Sequence, residues 1–213
     1  MSEQLPGGAI ELTAEEIDAL DARWASCWGP SEVARRLAGI GTPWYVAGGW
    51  ALDLFHGRQT RAHGDTEIGI PAAGFAEVRE RFPGHVFDAV GSGRIWEGAP
   101  PQALAAVHQT WLRDPATGDY LLDVFREPHD GDTWICRRDE TIRLPYRDVI
   151  RRTPDGVPYL APELVLLFKA KGDRPQDQAD FEAAVPQLTP AQRATLADLL
   201  ARVHPGHRWL AQL

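Results

Sequence analysis

The sequence predicts an α+β protein, a mixed α/β sheet with helices and a C-terminal helical lobe. Three observations predict it. The N-terminal part carries helical periodicity interrupted by one short apolar run. Beyond Pro83 the chain breaks into short apolar segments divided by Gly, Pro and Asp, the pattern of strands and turns. From Pro162 the apolar spacing is helical again.

The elements follow in order. "LTAEEIDALDARWASCW" opens with Thr13 and Glu16 at capping-box spacing, and Leu20, Trp24 and Cys27 recur at helical intervals. "SEVARRLAGI" after Pro30 is a second helix ending near Gly41. "PWYVAG" (43–48) reads as a buried strand that Gly48 and Gly49 break, and "WALDLFHG" as a short helix ending at Gly57. "TEIGI" is the next strand, and Pro71 opens the helix "AAGFAEVRERF". "HVFDAV", "RIWEG", "AVHQTWLRD" and "YLLDVFRE" are strands, and "TWICRRDETIRLPY" a hairpin. "PELVLLFKAKG", "QDQADFEAAVPQL" and "PAQRATLADLLARV" are helices. "RRTPDGVPYLAP" (151–162) is the expected linker, dividing the chain into 1–155 and 156–213.

Bulk composition narrows the function. The 213 residues suffice for one large domain or two small lobes. With 44% hydrophobic and 24% charged residues the chain is an ordinary globular protein, not a disordered one. A net charge of −8 argues against long-range attraction to nucleic acid or an anionic membrane. Two cysteines, Cys27 and Cys136, fit a reduced, cytoplasmic protein, and no Cys/His cluster suggests zinc. "MSEQLPGGAIEL" lacks the basic start and apolar core of a signal peptide, and no apolar run approaches the ~18 residues a membrane span needs.

The candidate chemistry lies in two places. Gly48-Gly49 sits between a strand and a helix, where glycine permits close backbone approach and helix amides suit a phosphate; the bland reading is a plain turn. Asp65 and Glu67 stand two apart in a β-like run, so both carboxylates share a face. Their apolar neighbours Ile68 and Ile70 imply a buried sheet, where paired carboxylates cost stability unless a cation lies between them. Asp123, flanked by Leu121, Leu122, Val124 and Phe125, is a third acid needing a partner. If its strand lies beside 65–70, the three converge on Mg²⁺ or Mn²⁺; the alternative is a salt bridge from Arg126 or Arg61. Three such acids near a glycine turn suit metal-assisted nucleotidyl transfer.

The run "WYVAGGWALDLFHGRQTRAHGDTEIGI" (44–70) resembles the DNA polymerase β superfamily of nucleotidyltransferases, most closely the aminoglycoside 2''-adenylyltransferase and lincosamide nucleotidyltransferase group. The shared pattern is Gly48-Gly49-Trp50-Ala51-Leu52-Asp53, then Gly57-Arg58, Thr60-Arg61 and His63, then Asp65-x-Glu67; the "LLD" at Asp123 matches more loosely. The resemblance implies a nucleotidyltransferase fold with a C-terminal helical lobe. It implies transfer of AMP, or another NMP, from an NTP such as ATP to a hydroxyl of a small molecule of aminoglycoside or lincosamide type, hence antibiotic resistance. Gly48 and Gly49 would pack against the phosphates. Asp65 and Glu67 would bind metal, with Asp123 as metal ligand, general base or both. Two departures stand out. Glu67 replaces the usual Asp, a shift of about 1.5 Å in the carboxylate. Gly64 occupies a commonly polar position. A protein-modifying, antitoxin-like adenylyltransferase and a non-catalytic nucleotide-binding module stay open as alternatives, as does the oligomeric state.

"LLFKAKGDRPQDQADFE" (166–182) holds the chain's only two lysines, Lys169 and Lys171, and Arg174. With Arg61, these are the candidate nucleotide-binding cations. Asp177 and Asp180 would cap the next helix or hold Lys169, Lys171 and Arg174. His63 orders the turn before its strand, and Asp53 caps or pairs with Arg58 or Arg61. Trp96, Trp111 and Trp134 are strand residues of the core, and His108 lacks a ligand-spaced partner.

Overall fold

The computed structural model describes residues 5–172 and 174–213. The first four residues of the "MSEQLPGGAIEL" segment and Asp173 of the lysine segment lie outside the described residues. The architecture is α+β. The chain forms two compact units, 1–44 with 63–128 and 45–62 with 129–213. The expected division at 155/156 falls inside the second unit.

The first unit is built on a mixed sheet. Its strands run Ile10–Glu11, Arg94–Trp96, Val86–Gly91, Gln109–Arg113, Tyr120–Glu127 and Glu67–Pro71 in spatial order. All pair antiparallel except the last, which runs parallel to Tyr120–Glu127. The helix Ala14–Arg23 begins at Thr13 with the capping box to Glu16 that the sequence announces. The helix Pro30–Arg36 is shorter than expected, because the chain turns at Gly39, whose φ of 74° suits only glycine readily. Strand alternation sorts the sheet residues. Ile68, Ile70, Thr110, Leu112, Leu122 and Val124 are fully buried on one face. Phe75 and Val78 of the helix Phe75–Glu80 are buried, and Phe75 meets Phe87 edge to face at 5.1 Å. The opposite face carries Glu67, Asp123, Gln109, Trp111, Arg113 and Asp88.

In the second unit Tyr45–Val46 runs parallel to Pro158–Leu160, itself antiparallel to Ile150–Arg152. The expected linker 151–162 is therefore a correction: most of it is this hairpin. Its Thr153-Pro154-Asp155-Gly156 run is the turn, closed by Gly156 N–H donating to Thr153 O at 2.9 Å, with Gly156 at φ 89°. The expected hairpin near 133–145 forms between Thr133–Ile135 and Arg143–Pro145. The helices Gly48–His56, Pro162–Lys169, Pro175–Ala184 and Pro190–Val203 surround a core that includes Leu164, Leu166, Leu167, Phe181 and Leu200. Proline opens three of them, where its missing N–H costs nothing. Among the described residues, no helix is long and apolar enough to cross a membrane.

Candidate functional site

The acid cluster arises from strand register. Asp123 N–H donates to Thr66 O at 3.0 Å, and the parallel ladder then sets Glu67 beside Asp123 and Ile68 beside Val124. Side chains two apart share a face, so one register choice puts both carboxylates on the half-open side and both aliphatic chains in the core. Asp65 differs from expectation. It lies just before the strand, which opens at Glu67, because the chain bends at Gly64 and leaves the ladder. The convergence survives: Asp65, Glu67 and Asp123 each offer a carboxylate oxygen within 4.8 Å of the others. The longer Glu67 side chain is part of that set.

Asp123 is the most constrained of the three, at 1% exposure. Its Oδ2 accepts from Gln109 Nε2 at 2.6 Å. Among the described residues, its buried Oδ1 meets no hydrogen-bond donor. The indole of Trp111, directly opposite in the ladder, favours the anion but does not close a hydrogen bond. Burial, then Glu67 and Asp65, push the Asp123 carboxyl well above the ordinary range; Gln109 and Trp111 only partly oppose this. The salt-bridge alternative through Arg126 does not occur. Arg126 points to the other sheet face, where it donates to Leu104 O at 2.9 Å and to Val107 O. A buried carboxylate oxygen without a donor, beside two further carboxylates, fits a hard divalent cation: all three donors are oxygen.

Asp88 shows the contrasting solution on the same face. It lies opposite Trp111, which lies opposite Asp123. Arg113 grips it through Nε at 2.6 Å and Nη2 at 3.2 Å, and Gly98 N–H donates at 2.9 Å. Asp88 is thus satisfied by protein alone. Cys27 Sγ reaches Gly64 O at 3.6 Å; burial, then the nearby Asp65, push its thiol up.

In the second unit Gly48 and Gly49 form the first turn of the helix Gly48–His56 rather than a break before it. Gly48 has φ 58°, which glycine adopts without strain at the strand-to-helix junction. Asp53 accepts from Thr60 N–H at 3.0 Å and from the Thr60 hydroxyl, tying the helix to the segment after Gly57. Three of the four candidate cations, Lys169, Arg61 and Arg174, are engaged. Lys169, 9% exposed, lies 2.9 Å from Asp177 Oδ1 and 2.8 Å from Asp180 Oδ2. Arg61 grips Asp180 with Nε at 3.1 Å and Nη2 at 3.2 Å. Arg174, its side chain 72% exposed, holds Asp177 at 2.7 Å, and Lys171 is exposed. Asp177 and Asp180 hold cations and do not cap the helix Pro175–Ala184. Burial raises their carboxyls, but Arg174 and Lys169 for Asp177, and Arg61 and Lys169 for Asp180, bring both below the ordinary range.

Trp96 and Trp134 are buried strand residues and Trp111 is half-buried; His108 stacks on Phe125. Gln109 is the residue that sequence reading passes over. The alternation of half-exposed Gln109, Trp111 and Arg113 with buried Thr110 and Leu112 was its one signal.

Residues 31–96 match the model of the aminoglycoside-2''-adenylyltransferase family. No curated protein sequence matches the chain significantly. Among solved structures, ANT(2'')-Ia in complex with adenylyl-2''-tobramycin is similar with a TM-score of 0.55 and 14% identity, over 81% of this chain and 95% of that one. A solution structure of the antibiotic-resistance factor ANT(2'')-Ia gives 0.53 and 15%, over 89% and 94%. The lincomycin-bound lincosamide antibiotic adenylyltransferase LnuA gives 0.49 and 16%, over 81% and 96%. The chain therefore resembles the aminoglycoside-2''-adenylyltransferase family over residues 31–96, and its fold is similar to that of ANT(2'')-Ia.

Proposed function

We propose that the chain is a metal-dependent nucleotidyltransferase that moves AMP from ATP to a hydroxyl of a small molecule of aminoglycoside or lincosamide type. The observation that carries this reading is the convergence of Asp65, Glu67 and Asp123, with Asp123 Oδ1 buried and lacking a hydrogen bond. The match of residues 31–96 to the family model supports it. So does the fold shared with ANT(2'')-Ia, which has been seen in complex with adenylyl-2''-tobramycin.

Asp65, Glu67 and Asp123 would hold Mg²⁺ or Mn²⁺, which when bound offsets charge on the triphosphate and the leaving pyrophosphate. The acceptor oxygen forms a bond to the α-phosphorus, the bond to the pyrophosphate oxygen breaks, and Asp123 takes the hydroxyl proton. Gly48 and Gly49 present helix-start amides suited to phosphate oxygens. Arg61, Lys169, Lys171 and Arg174 are the remaining nucleotide-binding candidates. The first two would serve as fixed positive charge, already oriented by Asp180. Dependence on a cytosolic NTP pool assigns the reaction to the cytoplasm.

Calorimetry of ATP·Mg²⁺ binding tests the assignment. Asp65→Ala is expected to weaken binding at least tenfold. Equal binding by wild type and variant would refute the metal role. Pyrophosphate release across a panel of aminoglycosides and lincosamides then identifies the acceptor class, and labelled polypeptide in a lysate with labelled ATP would redirect the reading to a protein acceptor.

A further inference from the structure

We propose that Gln109 is a positioning residue that fixes Asp123 for metal binding, an inference that rests on the metal-dependent reading above. Gln109 opens the strand Gln109–Arg113 and lies opposite Phe125. Asp123 lies opposite Trp111, so Gln109 is its diagonal neighbour on the same face. Such neighbours stand about 7–8 Å apart between Cα atoms, a gap that a long side chain spans. Gln109 Nε2 closes it, donating to Asp123 Oδ2 at 2.6 Å.

That bond divides the labour of the carboxylate. One oxygen is held by a charge-assisted hydrogen bond, which sets the side-chain rotamer. The other, Oδ1, is buried and meets no donor among the described residues, and the Asp123 carboxylate belongs to the group formed with Asp65 and Glu67. The donor is neutral, and neutrality matters here. A guanidinium in this position would supply the positive charge that the three acids otherwise take from a metal ion. Arg113, on the same strand face, is such a guanidinium, but Asp88 holds it bidentately and Glu97 lies 3.6 Å from it. The sheet face thus assigns its arginine to Asp88 and its amide to Asp123.

Outer-shell partners of metal ligands are worth about 10–100-fold in metal affinity. Two variants separate donor from reach. Gln109→Met keeps the length and loses the N–H; Gln109→Asn keeps the amide and shortens it. Gln109 is half-exposed, so both are expected to melt cooperatively. Free Mn²⁺ is followed by electron paramagnetic resonance during titration of the nucleotide-free protein, with Asp65→Ala as reference. The expected result is tight binding by wild type, loss in Asp65→Ala, and a 10–100-fold weaker affinity in both Gln109 variants. Wild-type affinity in Gln109→Met would overturn the positioning role while leaving the metal site intact. Binding by wild type no tighter than by Asp65→Ala would overturn the metal reading and this inference together.

Discussion

Two groups of buried carboxylates in this chain have opposite electrostatic fates. In the second unit, Asp177 and Asp180 are packed among Lys169, Arg61 and Arg174, and their carboxyls fall below the ordinary range. In the first, Asp123 is pushed well above it by burial and by Glu67 and Asp65. The two aspartates of the second unit have cations supplied by the chain and so support the fold. Asp123 carries an uncompensated oxygen and costs stability. Such a cost next to two more acids is what a site for an external cation would carry. The lysine segment that the sequence marks as nucleotide-facing is, in structure, first of all a lock.

The largest effect that would break this contrast is in Asp123→Asn. Nucleotidyl transfer is expected to fall on the order of 10²–10⁴-fold, the range for loss of a general base. The metal-free protein should melt no lower than wild type, because a buried like-charge repulsion has gone. A lower melting temperature with activity retained would reverse the two roles. Next in size is Asp180→Asn. Removing one member of a buried ion network costs about 3–5 kcal/mol, or roughly 10 °C in melting temperature for a chain of this length. Its sign with pH is fixed. Both folded carboxyls lie below their unfolded value of about 3.9. Their stabilisation is present above that value and is lost as pH falls through the lower folded value. Melting temperatures between pH 2 and 6 should therefore decline less steeply in Asp180→Asn than in wild type. The smallest effect is in Arg174→Ala. Its side chain is largely exposed, so the change should stay below about 1 kcal/mol. A larger loss would mean that the lock depends on its outer cation.

Local chemistry was legible in the sequence; distant pairing was not. The Thr13–Glu16 capping box, the strand nature of Tyr120–Glu127 and the three C-terminal helices are written in neighbouring residues. So was the oddity of Asp123, since an acid amid Leu122 and Val124 needs a partner wherever it lands. The helix Pro101–Ala106 carried a signal that was passed over, proline at N1 before Ala and Leu. The Thr153–Gly156 turn reads as a linker in the sequence because Pro-Asp-Gly marks a reversal without saying whether strands flank it. For Gln109 the sequence offers a face but not the partner. Its bond to Asp123 depends on the antiparallel register of two strands, and alternation alone gives a face but no partner. The engagement of Arg61 by Asp180, 119 residues away, is hidden for the same reason.

The parallel pairing of Glu67 with Asp123 has one more consequence. Slipping either strand by one residue would turn one of these carboxylates to the opposite face and dismantle the cluster. Any ion that grips both therefore binds only the correctly assembled sheet, and at a hundred times its dissociation constant it would favour that state by about 2.7 kcal/mol. With an ion bound there, the pair would act as an inspector of assembly, since a misaligned sheet would lose the ion together with its alignment.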